Sequence, residues 1–194
     1  MGGIERLRYS GIIAGLVYWL FVAWSISRNR WFSFFQNALS DLGDPAKASS
    51  PWIYNCGLMA GSVLLLLFSL YLIVTSNNKP QAVGGAYVSV SAVFMALIGI
   101  FHEGTSPHVF VSTYFFVQFF AGVLVYGLGR KERILRHSSI LLFLLAIAGT
   151  LLPWPATALL ETYEVALLMV FTLLVAFKPP NNILEDQRDL MGGE

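Results

Sequence analysis

Charge is scarce in this 194-residue chain: Lys, Arg, Asp and Glu make up 12% of it, against 56% hydrophobic residues. Soluble domains carry about 25% charged residues, so this chain has too little charge to cover a surface that faces water. It also lacks the clusters of Lys and Arg that neutralise phosphates, and we expect no nucleic-acid partner. The single cysteine, Cys56, excludes an intramolecular disulfide and a cysteine-based zinc site.

Long apolar runs are abundant. A helix needs about 20 mostly apolar residues to cross the hydrocarbon core of a bilayer. Six segments reach or approach this length, with bounds of about 9–26, 55–75, 82–101, 109–128, 138–152 and 157–177. The runs are continuous rather than alternating, which is typical of membrane helices. The sequence therefore predicts an all-α, polytopic integral membrane bundle of six transmembrane helices in a single domain, 1–194.

Lys and Arg are distributed unequally between the two sides that six spans define. Nine of the 12 lie on the side of the termini. These are Arg6, Arg8, Lys79, Arg130, Lys131, Arg133, Arg136, Lys178 and Arg188. The other side has only Arg28, Arg30 and Lys47. Because cytoplasmic loops carry an excess of Lys and Arg, we predict a multi-pass protein of the cell membrane with both termini in the cytoplasm.

The loop between the first two spans is the longest, and it is predicted to hold an amphipathic helix over about residues 30–43. At 100° per residue, its aromatic and leucine side chains share one face. The other face holds Ser33, Gln36, Asn37, Ser40 and Asp41. Gly43 and Pro45 would end this helix. Such a helix is expected to lie in the outer membrane interface.

Polar residues on this outer side form the candidate site. Ser40, Asp41 and His102 are the candidate catalytic residues, because a hydroxyl, a carboxylate and an imidazole can supply a nucleophile and acid–base chemistry. Ionisable groups near hydrocarbon are costly and are usually paired, solvated or functional. On this ground the candidate ligand-binding residues are Asn37, Glu103, His108 and Glu164.

His102, Glu103 and His108 are also candidate metal ligands, since imidazole and carboxylate groups bind zinc and iron. The histidines are six residues apart, however, and Pro107 precedes the second. The helical H-E-x-x-H motif needs both histidines on one face, so a polar loop cap is the favoured interpretation. The sequence requires no cofactor and leaves a divalent metal open.

Glu161 and Glu164 lie one turn apart near the start of the sixth span, on the same helix face. The helix dipole favours a carboxylate in the first turn, which accounts for Glu161. Glu164 lies deeper, where an unpaired carboxylate is costly. We expect it to have a partner such as His102, His108, or the guanidinium of Arg28 or Arg30.

Two pairs of glycines follow the small-xxx-small pattern that lets membrane helices approach closely. They are Gly11 with Gly15 and Gly57 with Gly61. Packing of the first two spans against each other is the favoured interpretation. The same faces are where a homo-oligomer would form, and membrane lipids are the other expected partners.

The motifs Asn37-x-x-Ser40-Asp41-Leu-Gly43, Tyr54-Asn55-x-Gly57-Leu58-xxx-Gly61 and Gly99-x-Phe101-His102-Glu103, with Pro51 and His108, resemble one known family. It is the prokaryotic six-span family catalogued as domain of unknown function 998, and the resemblance covers essentially the whole chain. It implies a shared outer polar centre. The residues implied are Asn37, Ser40, Asp41, His102 and His108. The resemblance brings no activity with it.

Several functions fit these residues, and the sequence does not decide between an enzyme and a non-enzyme. The first is a protein with an outward-facing polar site that binds a lipid or small ligand, or that organises lipids. The second is a metal- or acid/base-dependent intramembrane lipid hydrolase. It is similar to the ceramidase-like superfamily, whose site has Ser, Asp and three His around zinc; here His137 lies on the wrong side, so Glu103 or Glu164 would have to substitute. The third is a proton-coupled small-molecule carrier.

Overall fold

A computed structural model describes residues 3–177. The basic residues Lys178 and Arg188, and the rest of the predicted domain beyond 177, lie outside these residues. Six helices are long and apolar enough to cross a membrane. They are α1 (Gly3–Arg28), α2 (Pro51–Val74), α3 (Lys79–Ile100), α4 (His108–Leu128), α5 (Arg133–Leu151) and α6 (Thr157–Phe177). The prediction of an all-α, six-helix membrane bundle is confirmed.

Local sequence signals begin these helices. Pro51 stands in the first turn of α2, where its missing N–H is not needed for a hydrogen bond. Asn78 caps α3, because its side-chain oxygen accepts a hydrogen bond from the Gln81 backbone N–H at 3.1 Å. α1 begins earlier than predicted, at Gly3 rather than near 9. α5 also begins earlier, at Arg133 rather than near 138. Its first turns are basic, so an apolar run could not reveal them.

Each helix packs against the next along the chain, and α6 also packs against α1 and α4. The helices α1, α2, α3, α4 and α6 thereby enclose a central space, and α5 lies outside this ring. We call the end of the bundle with residues 29–50, 101–107 and 152–156 the loop face. The opposite end, where α1 begins and α6 ends, is the terminal face.

The outer surface of the bundle is apolar. Large side chains such as Leu20, Val63, Leu151 and Phe177 are at least 58% exposed, which on a soluble monomer would be an unusually extensive apolar surface. Toward the loop face, the exposed side chains include four aromatic residues: Trp24, Trp31, Phe35 and Trp52. Tryptophan favours the boundary between hydrocarbon and water, so these rings mark one edge of the membrane-embedded band.

The predicted interfacial helix over 30–43 is wrong. This segment forms turns, followed by a single 3-10 helix at Leu39–Gly43 that is buried in the bundle. Side chains take the backbone donors that a helix would use: the Asn37 side-chain oxygen accepts from the Ser33 N–H at 2.8 Å. Asp41 Oδ2 accepts from the Ala38 N–H at 3.0 Å. Such local bonds compete with helix formation.

Both glycine pairs contact residues of the same chain. A Cβ on Gly11 would lie 2.8 Å from Thr172 of α6, and one on Gly61 would lie 2.8 Å from Met95 of α3. Gly57 faces Phe21, which brings α1 against α2 as the pattern predicts. The homo-oligomer stays a prediction.

Candidate functional site

The central space of the bundle is a cavity of about 80 Å³. A single water needs about 10–15 Å³, so the cavity has room for a molecule several times larger. Most of its wall is apolar. The lining side chains include Ala14, Leu58, Leu65, Met95, Ile98, Phe115, Phe116, Phe119, Val165, Leu168 and Met169.

The cavity is long and runs along α6. Glu161 lines it near the loop face and Thr172 lines it toward the terminal face. These residues are eleven positions apart on one helix, which at a rise of 1.5 Å per residue is about 16 Å. The hydrocarbon core of a bilayer is about 30 Å thick, so the cavity is roughly half as long as that core is thick.

Three side chains form a connected polar cluster at the loop-face end. The Ser40 hydroxyl donates to Glu103 Oε2 at 3.1 Å. His108 Nε2 lies 3.0 Å from the same oxygen, and His108 Nδ1 lies 2.9 Å from the Phe101 carbonyl oxygen. Ser40 and His108 line the cavity, and Glu103 joins them.

Both ring nitrogens of His108 have an oxygen neighbour. A carbonyl oxygen only accepts, so His108 Nδ1 carries a hydrogen that it donates to Phe101. Its Nε2 faces a carboxyl oxygen of Glu103 at hydrogen-bond distance. His108 and Glu103 are therefore partners at the polar end of the cavity.

The 3-10 helix Leu39–Gly43 positions Ser40. Three hydrogen bonds to other parts of the chain hold this helix. The Leu39 N–H donates to Glu161 Oε2 at 2.6 Å. Asn55 Nδ2 donates to the Gly43 carbonyl oxygen at 3.0 Å. Asp41 Oδ1 accepts from the Lys47 ammonium at 2.5 Å. These contacts explain why a polar loop segment is buried here, since each bond offsets the desolvation of a backbone or charged group.

Lys47 is the counter-ion of two loop carboxylates. It lies 2.5 Å from Asp41 and 3.8 Å from Asp44. Its hydrogen bond to Asp41 raises the pKa of Lys47 above the ordinary value, and the charges of Asp41, Asp44 and Glu103 act in the same direction. Because its pKa lies above 10.5, Lys47 stays charged at neutral pH. Its positive charge neutralises carboxylates of the same loop.

Glu161, rather than Glu164, lines the cavity. Its Oε2 is bound to the Leu39 N–H, and within residues 3–177 it has no ion-pair partner. Glu164 is buried at 5% exposure. It makes no ion pair with His102, His108, Arg28 or Arg30 in the described part of the chain, so the expected partner is not found.

The other predicted site residues lie outside the cavity wall. Asn37 and Asp41 hold the loop and do not line the cavity. His102 bonds through Nδ1 to the Glu103 carbonyl oxygen at 2.8 Å and is likewise outside the lining. Between residues 3 and 177, no three His, Cys, Asp or Glu side chains gather as they would around a metal ion. The predicted ligands His102, Glu103 and His108 are therefore not assembled as a set.

Tyr18 and Tyr54 are lining residues that the sequence did not single out. Their rings meet edge to face with centroids 6.2 Å apart, and both interact electrostatically with Glu161. A tyrosine within an apolar span is a sequence signal for such a position, because its hydroxyl usually has a polar neighbour when it is buried. Their position beside Glu161 depends on the packing of α1, α2 and α6.

A family model described as protein of unknown function (DUF998) matches residues 12–178. This range includes every residue of the polar cluster and of the cavity wall except Gly11. No curated protein and no solved structure matches the chain.

Proposed function

The chain belongs to the DUF998 family, whose description names no function, and from the cavity we propose that it binds a single-chain amphiphile taken from the outer leaflet. The alkyl chain occupies the apolar cavity and the polar head lies beside Ser40, His108 and Glu161. One observation carries the proposal: an apolar cavity about 16 Å long ends in a polar cluster at one face of the bundle. Pockets with an apolar wall and a few convergent polar groups are typical of ligand sites.

The orientation of this site follows from the basic residues. Seven of the ten Lys and Arg between residues 3 and 177 lie at the terminal face. The positive-inside rule supports a terminal face in the cytoplasm and a loop face outside, in the cell membrane. The polar cluster then opens toward the outer headgroups, where the head of an amphiphile stands.

The length of the cavity predicts a limit on chain length. Its 16 Å correspond to roughly a dozen carbons, given carbon–carbon bonds of about 1.5 Å. Affinity is expected to rise from octanol to dodecanol, by up to ~0.8 kcal/mol per added methylene, and then to stop rising at hexadecanol. The measurement is displacement of tritiated dodecanol from purified protein in phosphatidylcholine nanodiscs, with empty nanodiscs as the background.

Non-specific partition of an alcohol into the bilayer differs from binding in the cavity, because partition continues to increase with every added methylene. Affinity that rises steadily through hexadecanol would contradict the cavity. Absence of saturable, displaceable dodecanol binding would overturn the proposed function itself.

The Ser40–Glu103–His108 cluster favours a second candidate, hydrolysis of a lipid ester. Glu103 accepts from Ser40, so a carboxylate rather than the imidazole would take the serine proton. With monododecanoyl glycerol as substrate, Ser40→Ala is expected to lower the release of dodecanoate about 100-fold. Ser27→Ala, at the loop-face end of α1, serves as the control. Equal rates in wild type and Ser40→Ala would exclude this candidate.

The proton-coupled carrier stays a prediction, since no contact within residues 3–177 favours it over these two candidates.

A further inference from the structure

We propose that the amphiphile carries a positively charged head, a primary ammonium group, and that Glu161 is the residue that binds it. This inference rests on the proposed function and specifies its ligand class. It comes from the charges around the polar end of the cavity.

Two groups of ion-paired residues lie at the loop face. Within residues 3–177, the exposed Arg28 and Arg30 and the acidic Glu161 and Glu164 belong to neither group. Lys47 neutralises Asp41 and also approaches Asp44. Glu103 is paired with His108, whose Nε2 lies 3.0 Å from Glu103 Oε2. Glu161 lines the cavity outside these pairs, and within residues 3–177 its hydrogen-bond partner is the Leu39 N–H.

The cavity wall within residues 3–177 offers Glu161 no Lys or Arg, and its one histidine, His108, is paired with Glu103. Glu164 lies one turn farther along α6, is buried, and makes no ion pair within residues 3–177. A carboxylate at the edge of hydrocarbon is stabilised strongly by an opposite charge, and the ligand is the group that can bring one.

The wall beside Glu161 also suits an ammonium group. Tyr18 and Tyr54 line the cavity next to this carboxylate. Their rings meet edge to face at 66°, and an aromatic ring has an electron-rich face. Aromatic faces beside an acidic group form a recognised environment for ammonium ligands.

The same charges disfavour other heads. A fatty acid or an alkyl phosphate would place an acidic group against the carboxyl group of Glu161. The two groups could not both be ionised without strong repulsion where water is excluded. A neutral alcohol can donate one hydrogen bond but leaves the carboxylate uncompensated. The expected order of affinity is therefore amine, then alcohol, then carboxylate.

The experiment compares dodecylamine, dodecanol and dodecanoate as competitors of tritiated dodecanol on the full chain in phosphatidylcholine nanodiscs. In the wild type, dodecylamine is expected to displace the label at a concentration about tenfold lower than dodecanol. Glu161→Gln is expected to abolish this preference, which is read as the ratio of the concentrations at which the two competitors displace the label. Its amide oxygen still accepts from the Leu39 N–H, so the 3-10 helix keeps its position. The competitors differ in how strongly they partition into the bilayer. This difference cancels when the displacing concentration of each competitor in the wild type is divided by its displacing concentration in Glu161→Gln.

Glu164→Gln is the matched control: it removes the same charge from the same helix at a position outside the cavity lining. Most of the amine preference is expected to persist in it. If amine and alcohol compete equally in the wild type, or if Glu161→Gln keeps the preference, the ammonium assignment is overturned while dodecanol binding still supports the proposed function. If the label shows no saturable binding, the proposed function fails instead.

Discussion

Val165→Trp is expected to abolish most specific dodecanol binding, with affinity lowered about tenfold or more. Val165 lines the cavity between Glu161 and Thr172, so an indole there occupies the space that the alkyl chain needs. Protein interiors are close-packed, and the surrounding helices cannot easily move apart to restore that space. The measurement is displacement of tritiated dodecanol in nanodiscs, together with the thermal midpoint of the variant.

Val170→Trp is the control for this substitution. Val170 is the same residue type on the same helix, but it is 43% exposed on the lipid-facing surface. It is expected to bind dodecanol as the wild type does. An equal loss of dodecanol binding in both variants, or full dodecanol binding by Val165→Trp, would contradict the proposal that the alkyl chain occupies the cavity.

Gly84→Val is expected to lower the yield of folded, monodisperse protein severely. A Cβ at Gly84 of α3 would lie 2.7 Å from the Tyr126 Cα of α4, and the neighbouring Gly122 faces the Gly84 carbonyl oxygen in return. Backbone cannot rotate away as a side chain does, so the two helices must separate. Overpacking of this kind costs about 3 kcal/mol or more, and it is expected to lower the thermal midpoint by about 6–12 °C.

Ala86→Val tests whether the effect comes from the helix contact. Ala86 lies on the exposed surface of the same helix, and surface substitutions change stability by about 0.5 kcal/mol or less. A folded, wild-type-like Gly84→Val protein would show that α3 and α4 are not packed through their glycines. The measurement is size-exclusion chromatography followed by a thermal melt in detergent.

The six spans could be predicted because hydrophobicity and length are properties of single segments. Each apolar run long enough to cross the bilayer became a helix. The loop between α1 and α2 could not be predicted in the same way. Its aromatic residues follow a helical pattern, yet the backbone donor of Leu39 bonds to Glu161, which is 122 positions away. Such tertiary hydrogen bonds override a local periodicity.

The candidate site was predictable in part. Ser40, Glu103 and His108 were singled out as polar groups near hydrocarbon, and the structure connects them by hydrogen bonds. Depth along the helix favoured Glu164 over Glu161 as the ligand-binding residue, whereas Glu161 is the one that lines the cavity. A difference of one turn on one helix changes which neighbours a side chain meets, and the sequence does not specify those neighbours.

The cavity itself had no signature in the sequence. Its wall consists of ordinary apolar residues from five helices, such as Leu58, Met95 and Phe119. Residues of the same types fill the rest of the core. Whether apolar side chains close a space or leave it open depends on how the helices cross, which is a property of the whole bundle.

The most direct test of the bound alkyl chain is photo-crosslinking with a dodecanol analogue that carries a diazirine at the end of its chain. After irradiation in nanodiscs, peptide mapping is expected to find adducts at Leu65, Met169 and Thr172, which line the cavity toward the terminal face. An excess of dodecanol is expected to suppress these adducts. Adducts confined to the lipid-facing Val63, Val170 and Leu173, and unchanged by that excess, would contradict the proposal that the cavity holds the chain.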